Sequence, residues 1–265
     1  MSDARHFDVP NYEEIRDTAL RLLPANFRNP LIGQGLACEV CSAPIDGLMT
    51  RCDPCLRQRN NWTGQLADIV IPLSYAGSKN PQARQDLWLY KNSDHPEVSR
   101  LALNRLSYLI WYALVHHGPC LEAILGPVEV VTSVPSGKAG KRPDGHPLEQ
   151  LTFYPTQPTR VHLVRTRDAV ERVVHPDSIE VAGSLAVNGK HVLVIDDTWT
   201  TGASTQAAAV ALRRAGAARV SVVVIGRWLN TSWGPTEQFL HARPADELWS
   251  PEVCPVTRGT CPTPS

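Results

Sequence analysis

Two adjacent carboxylates, Asp196 and Asp197, stand between an apolar run at 191–195 and a turn rich in hydroxyl groups and glycine. The amides of such a turn and the positive end of a following helix form a site for an anion. Gly202 lets the backbone approach a ligand without a Cβ clash. Paired carboxylates at a strand end accept hydrogen bonds from vicinal sugar hydroxyls, and one can help to hold Mg²⁺. This order of features predicts a site for a ribose that carries a 5′-phosphate.

Hydroxyl groups of the same segment can donate further hydrogen bonds to phosphate oxygens. Together with the small residue Ala203, they line the predicted turn and the start of its helix: Thr198, Thr200, Thr201, Ser204 and Thr205. A helix N-cap that follows a solvated acidic turn has similar residue types. The ordered combination of strand, acids, turn and helix favours the sugar-phosphate site over that plainer interpretation.

A second loop with anion-binding character follows the β-branched run at 128–134. Ser136, Gly137 and Lys138 place small residues and then a cation at the carboxyl end of a predicted strand. An ordinary exposed basic loop has the same composition. The first motif favours an anion site here too, because ligands of parallel sheets bind across the carboxyl ends of the strands.

Four cysteines form two Cys-x-x-Cys pairs, Cys38 with Cys41 and Cys52 with Cys55. Each pair bends the chain so that two thiolates converge, and two pairs complete a tetrahedral set of four sulfurs, which favours Zn²⁺. A redox-active dithiol is the alternative. All four positions are filled by cysteine, so the spacing predicts a structural zinc that supplies folding energy to a short segment.

The remaining cysteines have no such spacing. Cys120 is most simply a small buried residue. Cys254 and Cys261 can contribute to a second metal site, but free thiols on a C-terminal tail are the simpler interpretation.

Composition limits the classes of protein. The chain has 265 residues, with 26 Lys and Arg against 26 Asp and Glu, so a strongly basic nucleic-acid clamp is excluded as a description of the whole chain. The sequence contains no apolar run of about 18 residues and no signal-like start, which predicts a cytoplasmic protein without a membrane span. Reduced thiols suit that compartment.

The elements that must position these residues follow from periodicity. Apolar and β-branched runs predict strands at 69–75, 128–134, 161–164, 191–195 and 219–225. Helical spacing predicts helices at 11–23, 84–91, 97–117 and 204–215, with Gly118-Pro119 ending the third and Gly216 the fourth. Strands that alternate with helices indicate an α/β fold, a mostly parallel sheet with flanking helices. The chain from Leu229 onward is predicted to be irregular.

The segment at 191–205 resembles the PRPP-binding signature of the type I phosphoribosyltransferases. The resemblance implies that Asp196 and Asp197 contact the ribose hydroxyls and that the turn from Thr198 to Ser204 holds the 5′-phosphate. It also places Ser136, Gly137 and Lys138 at the pyrophosphate loop, and it implies Mg²⁺ bound together with PRPP. Arg165, Arg167 and Arg172 then lie where a flexible hood closes over the site, or they are simply solvated charges.

With the cysteine pairs, the chain is similar to the competence protein F (ComF/GntX-like) family, over roughly residues 36–228. Together with the elements predicted above, that similarity divides the chain into four predicted parts: an N-terminal helix and linker (1–35), a four-cysteine zinc ribbon (36–60), a phosphoribosyltransferase-like domain (61–230) and an irregular C-terminal tail (231–265).

Three functions remain open on these grounds. The chain can be a phosphoribosyltransferase, a glycosyltransferase that transfers a pentosyl group from PRPP to an unidentified acceptor. It can be a non-catalytic sensor of PRPP, another phosphoribosyl ligand or a nucleotide, or a DNA-uptake accessory. It can also be an interaction protein whose zinc ribbon binds a nucleic acid or protein partner. The fold does not decide among them, and the sequence does not indicate an oligomeric state.

Overall fold

A computed structural model describes residues 12–30, 35–77, 81–135, 148, 158–168, 172–230, 232, 234–242 and 248–261. Its helices are α1 Tyr12–Asn26, α2 Asp53–Asn61, α3 Pro81–Asn92, α4 Pro96–Leu125, α5 Ala203–Arg214 and α6 Gly234–Ala242. Its strands are β1 Ile69–Ala76, β2 Val130–Ser133, β3 Thr159–Arg160, β4 His162–Arg165, β5 Ile179–Ala182, β6 His191–Trp199 and β7 Arg219–Trp228. The predicted anion loop of Ser136, Gly137 and Lys138 lies outside the described residues.

Five of the strands form one sheet in the order β1-β7-β6-β2-β3, and every neighbouring pair runs parallel. The β6–β7 pairing is the longest, from His191 opposite Arg219 to Trp199 opposite Arg227. Strands β6 and β7 are buried along almost their whole length, as expected for strands covered on both faces. The predicted α/β class with a mostly parallel sheet and flanking helices is confirmed.

Alternation along β6 divides the core between the two faces of this sheet. Leu193 and Ile195 pack with α1, α3 and α4 on one face. Val192 and Val194 pack with α5 and the cysteine-rich segment on the other. Successive side chains of a strand point in opposite directions, so one β-branched strand serves both layers.

The strand order places a crevice between β2 and β6. From β2 the chain moves outward to β3, and it then returns to the opposite side of β2 to form β6. Such a reversal leaves an opening at the carboxyl ends of the two strands, where ligands of open parallel sheets bind. Pro135 after β2 and the residues after Ile195 therefore flank this crevice.

Two elements extend past the predicted ends. Strand β6 continues through Asp196 and Asp197 to Trp199, because β7 pairs with it over that whole length. Helix α4 continues through Gly118-Pro119 to Leu125. Proline inside a helix costs roughly 3 kcal/mol, but Cys120 and Leu121 beyond it are buried, and their packing offsets that cost.

The chain beyond Leu229 is more regular than predicted. It contains α6, and the segment 248–261 packs onto α4, where Trp249 meets Tyr112 edge-on at 5.2 Å between ring centroids. Trp249 and Cys254 belong to the main core on that face. None of the helices in the described ranges is long and apolar enough to cross a membrane.

Candidate functional site

The two carboxylates at the end of β6 face opposite sides of the sheet. Asp196 meets Thr205 of α5, whereas Asp197 meets Tyr90 and Lys91 of α3. Both are almost completely buried, at 9% and 8% exposure. The sequence places the pair in a loop, where adjacent side chains can point the same way. In the structure they are neighbours in a strand, so their side chains point to opposite faces of the sheet.

Asp196 is the acid on the α5 face of the sheet. It accepts hydrogen bonds from the backbone N–H of Asp197 at 2.9 Å and from the Thr205 hydroxyl. Burial, and then repulsion from Asp197, raise the pKa of Asp196 to about 7 despite these donors. A carboxyl with this pKa changes its charge near neutral pH, which is typical of groups at functional sites.

Cations lie on both sides of the acid pair. Lys91 forms an ion pair with Asp197, and the buried Arg165 of β4 donates to the Pro135 carbonyl at 3.3 Å. Burial lowers the pKa of Arg165, and the charge of Asp196 opposes this shift. The guanidinium therefore lies between the two flanks of the crevice, near Asp196 and at the start of the loop that follows β2.

The turn between β6 and α5 has the shape that the sequence predicts. Gly202 caps α5 in the left-handed conformation at φ 78°, and its carbonyl accepts a hydrogen bond from the Gln206 N–H at 2.8 Å. A Cβ at this position would lie 2.0 Å from the ring of Trp199, which is fully buried. Glycine is thus required for the backbone angle and for the contact with the indole.

The hydroxyls of the turn differ in their access to a ligand. Thr200 is exposed, and Thr198, Thr201 and Ser204 are half-buried, so all four can be reached from the crevice side or from solvent. Thr205, in contrast, is buried and donates to Asp196. Its hydroxyl therefore positions the Asp196 carboxylate, whereas the sequence predicts that it binds the phosphate. Ala203 is buried as well.

A cavity of about 560 Å³ opens beside Thr198, on the α3 face of the sheet. Helix α3 lines it from Arg84 to Asn92, and Trp228 closes the β7 side. Arg84 lies over the Trp228 ring, 5.7 Å from its centroid. The volume is in the range of small-molecule pockets. Thr198, which lines the cavity, is two residues after Asp196 in β6.

The predicted zinc ligands come together at one point. The sulfurs of Cys38, Cys41, Cys52 and Cys55 all lie within 4.8 Å of one another, and all four residues are buried and free of disulfides. The Cys41 and Cys52 sulfurs are 3.7 Å apart. A tetrahedral zinc with bonds of about 2.3 Å keeps its sulfurs about 3.8 Å apart. This group, here called the four-cysteine cluster, can therefore hold a metal such as zinc.

Two contacts join the four-cysteine cluster to the sheet. Arg227 of β7 is buried near the thiols; burial opposes its charge, but Cys41 and Cys52 raise its pKa. Gln58 of α2, one turn after Cys55, donates from Nε2 to the carbonyl of Thr201 at 2.9 Å. The cluster is therefore connected through α2 to the turn that precedes α5.

A second group of ligand atoms lies on the other face of the sheet. His117, Cys120, Cys254 and Cys261, here called the histidine–cysteine cluster, also have their ligand atoms within 4.8 Å of one another. The Cys261 sulfur is 3.4 Å from His117 Nδ1. The prediction that Cys254 and Cys261 are free thiols on a C-terminal tail does not account for this convergence of ligand atoms. His117 and Cys120 were detectable only as an i, i+3 pair on α4.

Hydrogen bonds stabilise the anionic form of the Cys254 thiol in the histidine–cysteine cluster. Burial raises the pKa of Cys254, but hydrogen bonds with His117, the Thr257 side chain and the backbone N–H groups of Thr257 and Val256 lower it to about 6.

The fold and the clusters define an α/β protein with a five-stranded parallel sheet and two Cys-rich groups that can hold a metal such as zinc. Neither the protein-family models nor the curated proteins to which we compared the chain give a match.

Proposed function

We propose that the chain binds PRPP with Mg²⁺ at the carboxyl end of β6, as a phosphoribosyltransferase-fold protein of the ComF/GntX-like family. One observation carries this proposal: the left-handed Gly202 turn, five residues after Asp197, begins α5 beside the crevice between β2 and β6. Turn amides, a helix N-terminus and carboxylates at a switch point of a parallel sheet are the groups that a sugar phosphate requires.

The individual roles follow from access and charge. The 5′-phosphate lies on the turn, where Thr200, Thr201 and Ser204 can donate to its oxygens. The ribose hydroxyls lie above the end of β6, where Asp196 and Asp197 accept hydrogen bonds. Asp197 must then exchange part of its contact with Lys91 for the ligand.

The flanking cations suit the other end of PRPP. Arg165 and Lys91 can neutralise a leaving pyrophosphate together with Mg²⁺, and Ser136, Gly137 and Lys138 remain the predicted pyrophosphate loop. In a transfer reaction the C1′–O bond to pyrophosphate breaks and a bond from C1′ to the acceptor forms. Charge neutralisation and positioning are the main contributions that such residues make.

A second candidate function is ligand sensing without transfer. The observation that favours it is the hydrogen bond from Gln58 to the Thr201 carbonyl, because it joins the four-cysteine cluster to the proposed phosphate turn. Occupancy of the turn can be transmitted to the ribbon by this route, and a partner of the ribbon, nucleic acid or protein, would respond to the ligand.

Calorimetry with PRPP and Mg²⁺ tests the proposal. We expect saturable binding that Asp196→Asn weakens by about tenfold, the loss of one charge-assisted hydrogen bond. Asp46→Asn, an exposed change in the ribbon, is the matched control and should leave the affinity unchanged. Absence of binding at millimolar PRPP contradicts the proposal. If PRPP binds, an assay of pyrophosphate release with a panel of bases distinguishes a transferase from a non-catalytic sensor.

The raised pKa of Asp196 gives a second prediction. Its pKa of about 7 exceeds the ordinary carboxyl value of about 4, so the folded chain retains a proton that the unfolded chain releases. The stability that this group contributes is complete below about pH 4 and is lost as the pH rises to about 7. Asp196→Asn should therefore stabilise the fold by roughly 4 kcal/mol at pH 8 and by roughly 1 kcal/mol at pH 5. Urea denaturation at the two pH values measures the difference, and an equal effect at both would contradict it.

A further inference from the structure

The C-terminal segment repeats the backbone turn of the first cysteine pair. The N–H of Cys38 donates to the carbonyl of Ala43 at 2.7 Å, and the residue between them that adopts positive φ is Ser42, at 57°. The N–H of Cys254 donates to the carbonyl of Gly259 at 3.0 Å, with Arg258 also at φ 57°. In both turns the acceptor stands five residues after the cysteine, and the residue just before the acceptor is left-handed.

The equivalence extends to the ligand position. Cys41 stands three residues after Cys38 and contributes the second sulfur of its turn, and Thr257 stands at the same place after Cys254. The C-terminal turn therefore presents one thiol in the manner of a zinc-binding turn and lacks the second. Cys261 follows the turn and brings another thiol to the same point.

Helix α4 supplies the opposite half of the histidine–cysteine cluster. His117 and Cys120 are three residues apart, so they share one face of the helix, and both are buried, at 5% and 1% exposure. His117 presents Nδ1 to the cluster, and its Nε2 is buried without a hydrogen bond in the described part of the chain. Three sulfurs and one imidazole nitrogen form a ligand set of structural zinc sites.

We propose that His117, Cys120, Cys254 and Cys261 bind a second zinc ion, which fastens the C-terminal segment to α4. The observations that carry it are the convergence of the four ligand atoms and the zinc-type turn at Cys254. The proposal does not depend on the PRPP site, which lies at the strand ends.

The fastened segment reaches the four-cysteine cluster. Arg258, inside the turn, donates to the carbonyls of Cys38 at 3.2 Å and Val40 at 2.8 Å. The second zinc thus holds in place a side chain that braces the backbone of the first cysteine pair. The two clusters belong to the cores on different faces of the sheet, and this arginine connects them.

Zinc content of the purified full-length chain tests the proposal. We expect two zinc ions per chain, one after Cys254→Ser and one after Cys38→Ser. A disulfide between two of the three cysteines in this cluster would compete with the metal. One zinc in the wild type, with fewer than the seven thiols of the sequence free on denaturation without reductant, would overturn the proposal in favour of that disulfide. One zinc with all seven thiols free would overturn it in favour of separate thiols.

A rescue variant controls for simple misfolding. Cys261→Ser should lower the zinc content to one, and Thr257→Cys added to it should restore two, because the turn then has the Cys-x-x-Cys pattern of the first site. Cobalt replacement gives a second readout: the thiolate-to-cobalt absorption should fall in Cys261→Ser and return in the double variant. Failure of the double variant to regain metal, with the fold intact by circular dichroism, contradicts the equivalence of the two turns.

Discussion

The four-cysteine and histidine–cysteine clusters offer similar ligand sets but are built in opposite ways. The four-cysteine cluster takes every ligand from residues 38–55, around one short helix. The histidine–cysteine cluster takes two ligands from α4 and two from the segment 248–261. Strands β2 to β7 lie between these two parts in the sequence. The first cluster is local and the second is tertiary.

This difference separates their contributions to folding. Closing a short loop costs little entropy, so the ligands of the four-cysteine cluster can meet before the sheet forms, and metal binding can drive the folding of that segment. The ligands of the histidine–cysteine cluster meet only when α4 and the C-terminal segment already pack together. We therefore expect its metal to secure a folded core, whereas the metal of the four-cysteine cluster organises its own segment.

The largest expected effect is the loss of the metal from the four-cysteine cluster. Cys38→Ser should unfold residues 36–61, because that segment loses zinc-binding free energy on the order of 10 kcal/mol, and should leave β6 and β7 intact. Hydrogen exchange should show fast amides in the ribbon and protected amides in the central strands. Cys254→Ser, the matched change in the other cluster, should instead expose the amides of 248–261. Identical exchange patterns in the two variants would show that the clusters are not separate units.

An intermediate effect is expected at the contact between the clusters. Arg258→Ala removes both hydrogen bonds to the first cysteine turn and should destabilise the ribbon by about 2 kcal/mol. The measurement is the rate of zinc transfer from the four-cysteine cluster to a chelator, which should rise without a loss of bound zinc at equilibrium. Arg258→Lys, which keeps the charge, should have an intermediate rate. Unchanged transfer in Arg258→Ala would mean that the clusters act independently.

The smallest expected effect concerns the link from the four-cysteine cluster to the proposed phosphate turn. Gln58→Ala removes the hydrogen bond to the Thr201 carbonyl and should weaken PRPP binding about fivefold, equal to roughly 1 kcal/mol. Arg59→Ala changes the exposed neighbour on the same helix and serves as the control. Equal affinities in the two variants, with zinc content intact, would remove the ribbon from any role in ligand binding.

Sequence reasoning succeeded where the determinants are local. The Cys-x-x-Cys spacing places Cys38, Cys41, Cys52 and Cys55 together, and Gly202 lies in the predicted turn before α5. Both patterns depend on a few consecutive residues. The alternation of strands and helices likewise predicts the parallel sheet.

Sequence reasoning failed where tertiary packing determines the ends of elements and the positions of side chains. Pairing with β7 extends β6 through the acid pair, so Asp196 and Asp197 face opposite sides of the sheet. Core contacts carry α4 past Pro119. The histidine–cysteine cluster needs both the full length of α4 and the placement of the C-terminal segment, so the sequence indicates only that Cys254 and Cys261 can contribute to a metal site and does not pair them with His117 and Cys120.

The indole of Trp199 beneath Gly202 restricts how this turn can change during evolution. A methyl group at position 202 collides with the ring, so alanine there requires a smaller residue in place of the tryptophan, and it also costs about 1–2 kcal/mol because the backbone is left-handed. That replacement by itself opens a void in the core. The two positions are therefore expected to covary, with every single-step path between their allowed combinations passing through a less stable protein.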